Sequence, residues 1–137
     1  MIVNIHNQSH ILPGNNGPIG VVLIPTCKIS NQGFHYARTF VKAIGGTIIE
    51  ITGGHRSTWE LTKKLKKGCE IVDGSPERLI DVVKKKETNL LRVTFLVLDK
   101  AYWILDMNSI LENVRLDWQM LLLSVTFMKR VEKVVRE

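Results

Sequence analysis

The sequence predicts an α/β domain: a mostly parallel sheet with helices on both faces. Three observations carry that prediction. Gly20-Val21-Val22-Leu23-Ile24, Val93-Thr94-Phe95-Leu96-Val97-Leu98 and Met120-Leu121-Leu122-Leu123-Ser124-Val125-Thr126 are short and almost wholly apolar, the pattern of strands buried on both faces. Helix-like stretches alternate with these runs along the chain. No hairpin signal joins neighbouring strands, so the connections read as crossovers.

In chain order, Met1 to Leu12 carries Ile2, Val3, Ile5, Ile11 and Leu12 and reads as the tail of a helix. Pro13-Gly14-Asn15-Asn16-Gly17-Pro18 is a cluster of turn formers. After the first strand, Ser30 is placed to cap a helix carrying Phe34, Ala37, Phe40, Val41 and Ile44, which stops at Gly45-Gly46. Thr47 to Thr52 is strand-like and runs into Gly53-Gly54. Ser57 and Glu60 form a capping-box pattern ahead of Trp59, Leu61 and Leu65, with Gly68 as the stop. Glu70-Ile71-Val72 is a short strand. Ser75-Pro76-Glu77 then opens a helix with a cap residue, a proline in the first turn and an acid near the positive dipole end. That helix carries Leu79, Ile80, Val82 and Val83 and dissolves at Lys84-Lys85-Lys86. Ser109 with Glu112 gives another capping box after the central strand. Phe127, Met128, Val131, Val134 and Val135 make the stripe of a closing helix.

Bulk properties exclude several classes. A chain of 137 residues fits one domain with a respectable core. No run approaches the roughly 18 apolar residues of a membrane span, so no membrane partner is expected. Cys27 and Cys69 are isolated, which indicates neither a zinc site nor a disulfide framework. His6, His10, His35 and His55 share no ligand spacing. The formal charge of +6 permits a polyanionic partner without requiring one. Lysines 63, 64, 66 and 67 and lysines 84 to 86 read as solvated helix faces. Trp59, Trp103 and Trp118 read as core or half-buried packing.

Ligands of parallel sheets bind at the carboxyl ends of strands. Asp99 stands where the central strand would end, a position from which an aspartate can hold Mg²⁺ beside a nucleoside triphosphate. The other strand ends form a series: Pro25-Thr26-Cys27-Lys28-Ile29, Gly53-Gly54, Ser75-Pro76-Glu77-Arg78-Leu79, Asp99-Lys100-Ala101-Tyr102 and Ser124-Val125-Thr126. Their order and spacing resemble the DEAD-box RNA helicases, where they would be Pro-Thr-Arg-Glu-Leu, Gly-Gly, Thr-Pro-Gly-Arg-Leu, Asp-Glu-Ala-Asp and Ser-Ala-Thr. The connecting sequence is similar too, notably Gly68 to Val72, Arg78 to Asn89 and Leu105-Asp106-Met107. The resemblance runs from about Gly17 to Arg136 and is strongest to splicing-associated members.

The resemblance implies a partial RecA-like domain of the P-loop NTPase type. Residues 1–137 would be a single partial ATP-binding lobe, with the second helicase lobe absent. No GxxxxGK[ST] occurs in the sequence, so the phosphate-loop strand is expected to be missing. Family members use ATP and Mg²⁺, and neither is expected to bind here. Asp99 would be a vestigial catalytic and metal residue. Lys100 stands where the family has the glutamate that deprotonates water, and Tyr102 replaces the second aspartate. A protonated lysine cannot accept that proton, and losing a general base costs ~10²–10⁴-fold in rate.

By the same resemblance, Pro25, Thr26, Gly53, Gly54, Ser75, Pro76 and Arg78 would grip the backbone of single-stranded RNA. Cys27 replaces an arginine, and Glu77 brings a carboxylate to a place where glycine admits a phosphate. Ser124 and Thr126 keep the hydroxyls that couple the two lobes. The main expectation is a truncated helicase-like lobe without ATPase or unwinding activity, retaining contact with RNA or with a helicase or splicing partner in the nucleus. Two alternatives stand beside it: a fragment of a longer helicase that supplies the missing parts, and a non-functional relic. Without a phosphate-loop strand, Met120 to Val125 should be an apolar sheet edge.

Overall fold

The computed structural model describes residues 17–24, 27–51, 58–99, 110, 112–114 and 119–123, except for the side chains of residues 27–33 and 58. Strands β1 (Gly20–Leu23), β2 (Ile48–Ile51), β3 (Ile71–Gly74), β4 (Phe95–Asp99) and β5 (Gln119–Leu123) form one sheet in the order β2-β3-β1-β4-β5. All four pairings are parallel. Helices α1 (Cys27–Ala43), α2 (Thr58–Lys67) and α3 (Pro76–Lys84) make the first three crossovers. The expected parallel α/β sheet is therefore what the chain forms.

Strand residues alternate between the two faces, and the register sorts them. Val21 lies between Val72 and Leu96, and Val72 in turn faces Ile49. These residues and Leu23, Ile51 and Leu98 pack with Leu61 and Leu65 of α2 and Leu79 and Val82 of α3. On the opposite face, Ile48, Ile71 and Val22 pack with Val41 and Ile44 of α1. Each face is covered by whichever helix has an apolar stripe pointing at it.

Helix stops follow the glycines. Gly45 (φ 73°) ends α1, where its N–H donates to the Lys42 carbonyl at 3.0 Å and Gly46 N–H donates to Val41 at 2.9 Å. Gly68 (φ 87°) ends α2 in the same left-handed conformation, which glycine adopts without steric cost. After α3 no glycine is present, and Lys86 takes the left-handed position instead (φ 56°).

Several expectations are corrected. Helix α1 starts at Cys27 rather than after Ser30, so Ser30 lies inside it. Phe40 is 58% exposed while its neighbour Val41 is buried, because Phe40 sits about 120° around the helix from Phe34. Ser75 is the residue before α3, but its side chain makes no capping hydrogen bond; its carbonyl accepts from Leu79 N–H at 3.0 Å. Trp59 is 68% exposed rather than packed. It lies on the side of α2 opposite Leu61 and Leu65. Strand β4 is fully buried only at Leu96 and Leu98, with Phe95, Val97 and Asp99 half-buried. Strand β5 is not a buried strand: Leu121 is 53% and Leu123 48% exposed. It ends the sheet order, as the edge expectation has it. The stretches 1–16 and 124–137, the Ser57 cap, and Trp103 and Trp118 lie outside the described residues.

Candidate functional site

In a parallel sheet every strand ends on the same edge, so the strand order decides which strand-end segments become neighbours. Here the carboxyl edge reads, from one side to the other, Ile51, Gly74, Leu23, Leu98-Asp99 and Leu123. Gly53-Gly54 follow β2, Ser75-Pro76 follow β3, and Pro25-Thr26 follow β1. The ends of β2, β3 and β1 are adjacent on one half of the edge. Asp99 ends β4 on the other half, and Ser124 and Thr126 come after β5 in the sequence. Pro25, Thr26, Gly53, Gly54, Lys100, Tyr102, Ser124 and Thr126 themselves lie outside the described residues.

The middle of the first half is built by Gly74. A Cβ at this position would collide with the Ile51 side chain and lie 2.6 Å from the Ile51 carbonyl oxygen, so only glycine lets β2 and β3 approach this closely at their ends. The Gly74 carbonyl in turn accepts from Ile24 N–H at 3.0 Å. Pro76 then opens α3, whose missing N–H costs nothing in the first turn.

Arg78, two residues further into that turn, is half-buried. Its Nη1 donates to Asp81 Oδ2 over 3.4 Å, a long contact, while Lys85 Nζ holds the same oxygen at 2.9 Å. The Arg78 Nε is buried and has no hydrogen-bond partner. The Nε itself is closed to solvent, and it is the 30% of the side chain still exposed, in the first turn of a helix, that is chemically suited to an anion. Glu77 is exposed, so its carboxylate stands at the rim of this helix end.

Asp99 is half-buried at the end of β4 and already engaged in an interaction. Among the described residues no group of three histidine, cysteine, aspartate or glutamate side chains is gathered as a metal site. In sequence Asp99 is followed by Lys100 and Tyr102, which lie outside the described residues.

Sequence reasoning missed two acids. Glu50 and Asp73 are buried and face each other in register across β2 and β3, just below the carboxyl edge on the α1 face. Both are engaged in interactions. The signal that could have found them is a single acid inside each of two apolar strands, Ile48-Ile49-Glu50-Ile51 and Ile71-Val72-Asp73.

A DEAD/DEAH box helicase family model matches residues 1–134. The chain is 43% identical over 143 residues to the ATP-dependent RNA helicase DDX42 of Gallus gallus, covering 100% of this chain and 15% of that protein. It is 42% identical over 143 residues to DEAD-box ATP-dependent RNA helicase 24 of Arabidopsis thaliana, covering 100% of this chain and 19% of that one. The crystal structure of the yeast DEAD-box splicing factor Prp28 superposes with a TM-score of 0.81 at 25% identity, over 98% of this chain and 34% of Prp28. The chain thus spans less than a fifth of these curated relatives, and its sheet is that of a RecA-like domain. With that family model, these relatives and this fold in agreement, the chain belongs to the DEAD/DEAH box helicases.

Proposed function

We propose that this chain is the RNA-gripping part of the first RecA-like lobe of an ATP-dependent RNA helicase, with an Asp99-Lys100-Ala101-Tyr102 segment that no longer supports hydrolysis. The observation that carries this reading is the strand order. It sets the ends of β2, β3 and β1 side by side on one half of the carboxyl edge, with the half-buried Arg78 in the first turn of α3. Contact there would be made to phosphate and sugar, which positions a strand without reading its sequence. Agreement along the whole chain with one part of larger RNA helicases supports a fragment of such an enzyme over a free-standing relic.

Hydrolysis is assigned differently. Lys100 and Tyr102 remove the carboxylates that the family uses around Asp99, so neither a general base nor a second acid stands there. The likeness to Prp28, a splicing factor, favours a nuclear setting and a splicing partner. No described helix is long and apolar enough to cross a membrane.

Photo-crosslinking of a 4-thiouridine RNA to the chain, with adducts mapped by mass spectrometry, tests the RNA reading. Adducts are expected within residues 24–26, 52–54 and 75–78. Adducts confined to the opposite edge, among residues 85–92, would overturn it. ATP turnover with and without RNA tests the other half, and RNA-dependent release of phosphate by the unaltered chain would contradict the assignment of Asp99-Lys100-Ala101-Tyr102 as inactive.

A further inference from the structure

Helix α2 has an outer face that the packing of the fold does not use. At about 100° per residue, Trp59, Lys63, Lys66 and Lys67 fall within an arc of about 100° on the side away from Leu61 and Leu65, which are buried in the core. Trp59 is 68% exposed, an unusual location for so large an apolar side chain. The Lys63 ammonium lies 5.0 Å from the centre of its ring, a cation–π contact that occupies one face of the indole. Trp59, Thr62, Lys63, Lys66 and Lys67 line a shallow groove of about 490 Å³.

Two acids border this face. Glu60 lies on the flank of the helix, lining a separate cavity with Lys64 and Lys67. Glu87 accepts the Thr62 hydroxyl at 2.8 Å and lines another cavity with Lys66, which is itself engaged in an interaction. The four lysines of α2 outnumber these two acids, so the face stays net positive, and the groove itself is lined by lysines, one hydroxyl and one indole.

We propose that this face of α2 is a second contact for single-stranded nucleic acid, in which Trp59 stacks on a base and Lys63, Lys66 and Lys67 neutralise phosphates. Charge complementarity selects the occupant: a lysine-lined groove suits a polyanion, and the exposed ring suits a base, since every base offers a π-face. Location supports the same partner. As the crossover between parallel strands β2 and β3, α2 runs antiparallel to them, so Trp59 in its first turn lies toward the carboxyl edge. A strand leaving that edge would meet the ring first and the lysines next, along about 12 Å of helix. The surface is separate from the strand-end segments and stands or falls without them.

The test uses the full chain and a fluorescein-labelled oligouridine, with anisotropy titrations across a series of salt concentrations. The substitutions lie on exposed positions, and urea midpoints equal to that of the unaltered chain show that each variant is folded. Trp59→Ala is expected to weaken binding about fivefold or more at every salt concentration without changing the salt slope. Replacing Lys63, Lys66 and Lys67 together by Gln is expected to lower the slope of log K against log salt by about 2. Replacing Lys84, Lys85 and Lys86 together by Gln removes the same charge elsewhere and is expected to leave the slope within 0.5 (about the spread of such fits) of the unaltered chain.

Equal losses from both lysine triples would reduce the effect to net charge and overturn the proposal. Unchanged binding in the Trp59 and Lys63/Lys66/Lys67 variants would do so as well, whether the face is then vacant or takes an acidic protein segment. Arg78→Ala in the same assay reports on the strand-end reading alone, so the two can fail separately.

Discussion

The two halves of the carboxyl edge are made from similar strands and differ in what surrounds them. On the β2-β3-β1 half, Ile51, Leu23 and Gly74 are wholly enclosed, β3 and β1 pair on both sides, and α1, α2 and α3 close both faces. On the β4-β5 half, Val97 is half-buried, and β5 turns Leu121 and Leu123 to solvent. Apolar sequence alone therefore does not make a core strand: β2 ends the sheet as β5 does, yet Ile49 and Ile51 are buried, and what sets β2 apart is the helices packed over its two faces. The proposed RNA grip stands on the enclosed half, where a positioned backbone can be held. Asp99 ends a strand of the open one.

This contrast should appear first as a difference in stability. Leu23→Ala empties a site at the centre of the enclosed half and is expected to cost about 2–5 kcal/mol, read as a fall in the urea midpoint. Gly74→Ala forces a methyl against the Ile51 carbonyl and is expected to cost about 1–3 kcal/mol. A smaller figure there would show that β2 and β3 can separate at their ends, which would weaken the case for a rigid edge.

Cys69 probes the same half by pH. Burial, helped by the Glu70 carboxylate and opposed by Arg92, pushes its thiol from 9.0 up to about 12. Because the folded state holds the proton more tightly, the contribution is fully present below pH 9 and is lost as pH rises from 9 toward 12. The urea midpoint should therefore fall on going from pH 8 to pH 10, and Cys69→Ala should show a shallower fall. Parallel falls in both would mean that the thiol is not enclosed. The smallest effect is expected on the open half. Leu121→Ser should shift stability by no more than about 0.5 kcal/mol while reducing self-association of the exposed edge strand. A loss as large as that of Leu23→Ala would erase the distinction between the halves.

Much of this was legible in the residues. The apolar runs located β1 and β4, Gly45 and Gly68 located two helix ends, and Pro76 located the start of α3, because each depends on local chemistry. The strand-end positions of Ser75 and Asp99 followed from the same runs. What was not legible depends on neighbours. Leu121 and Leu123 read as core from their apolar run, and only the expected lack of a phosphate-loop strand, not any residue of Met120 to Val125, marked theirs as an edge. Trp59 read as packing because large aromatics usually are buried, yet its angular position opposite Leu61 and Leu65 already placed it outside. Glu50 and Asp73 passed unremarked, since burial of an acid is visible only when the partner strand is known. The unused donor of Arg78 was equally invisible, as it depends on where Asp81 and Lys85 meet.

The measurement that bears most directly on the account is a salt titration of single-stranded RNA binding by the cooperatively folded chain, beside its Arg78→Ala variant. The account predicts binding that weakens steeply with salt, and a variant that binds more weakly with a slope shallower by about 0.7. A folded chain that does not bind RNA, or a variant indistinguishable from it, would contradict the assignment of the enclosed half as the RNA grip.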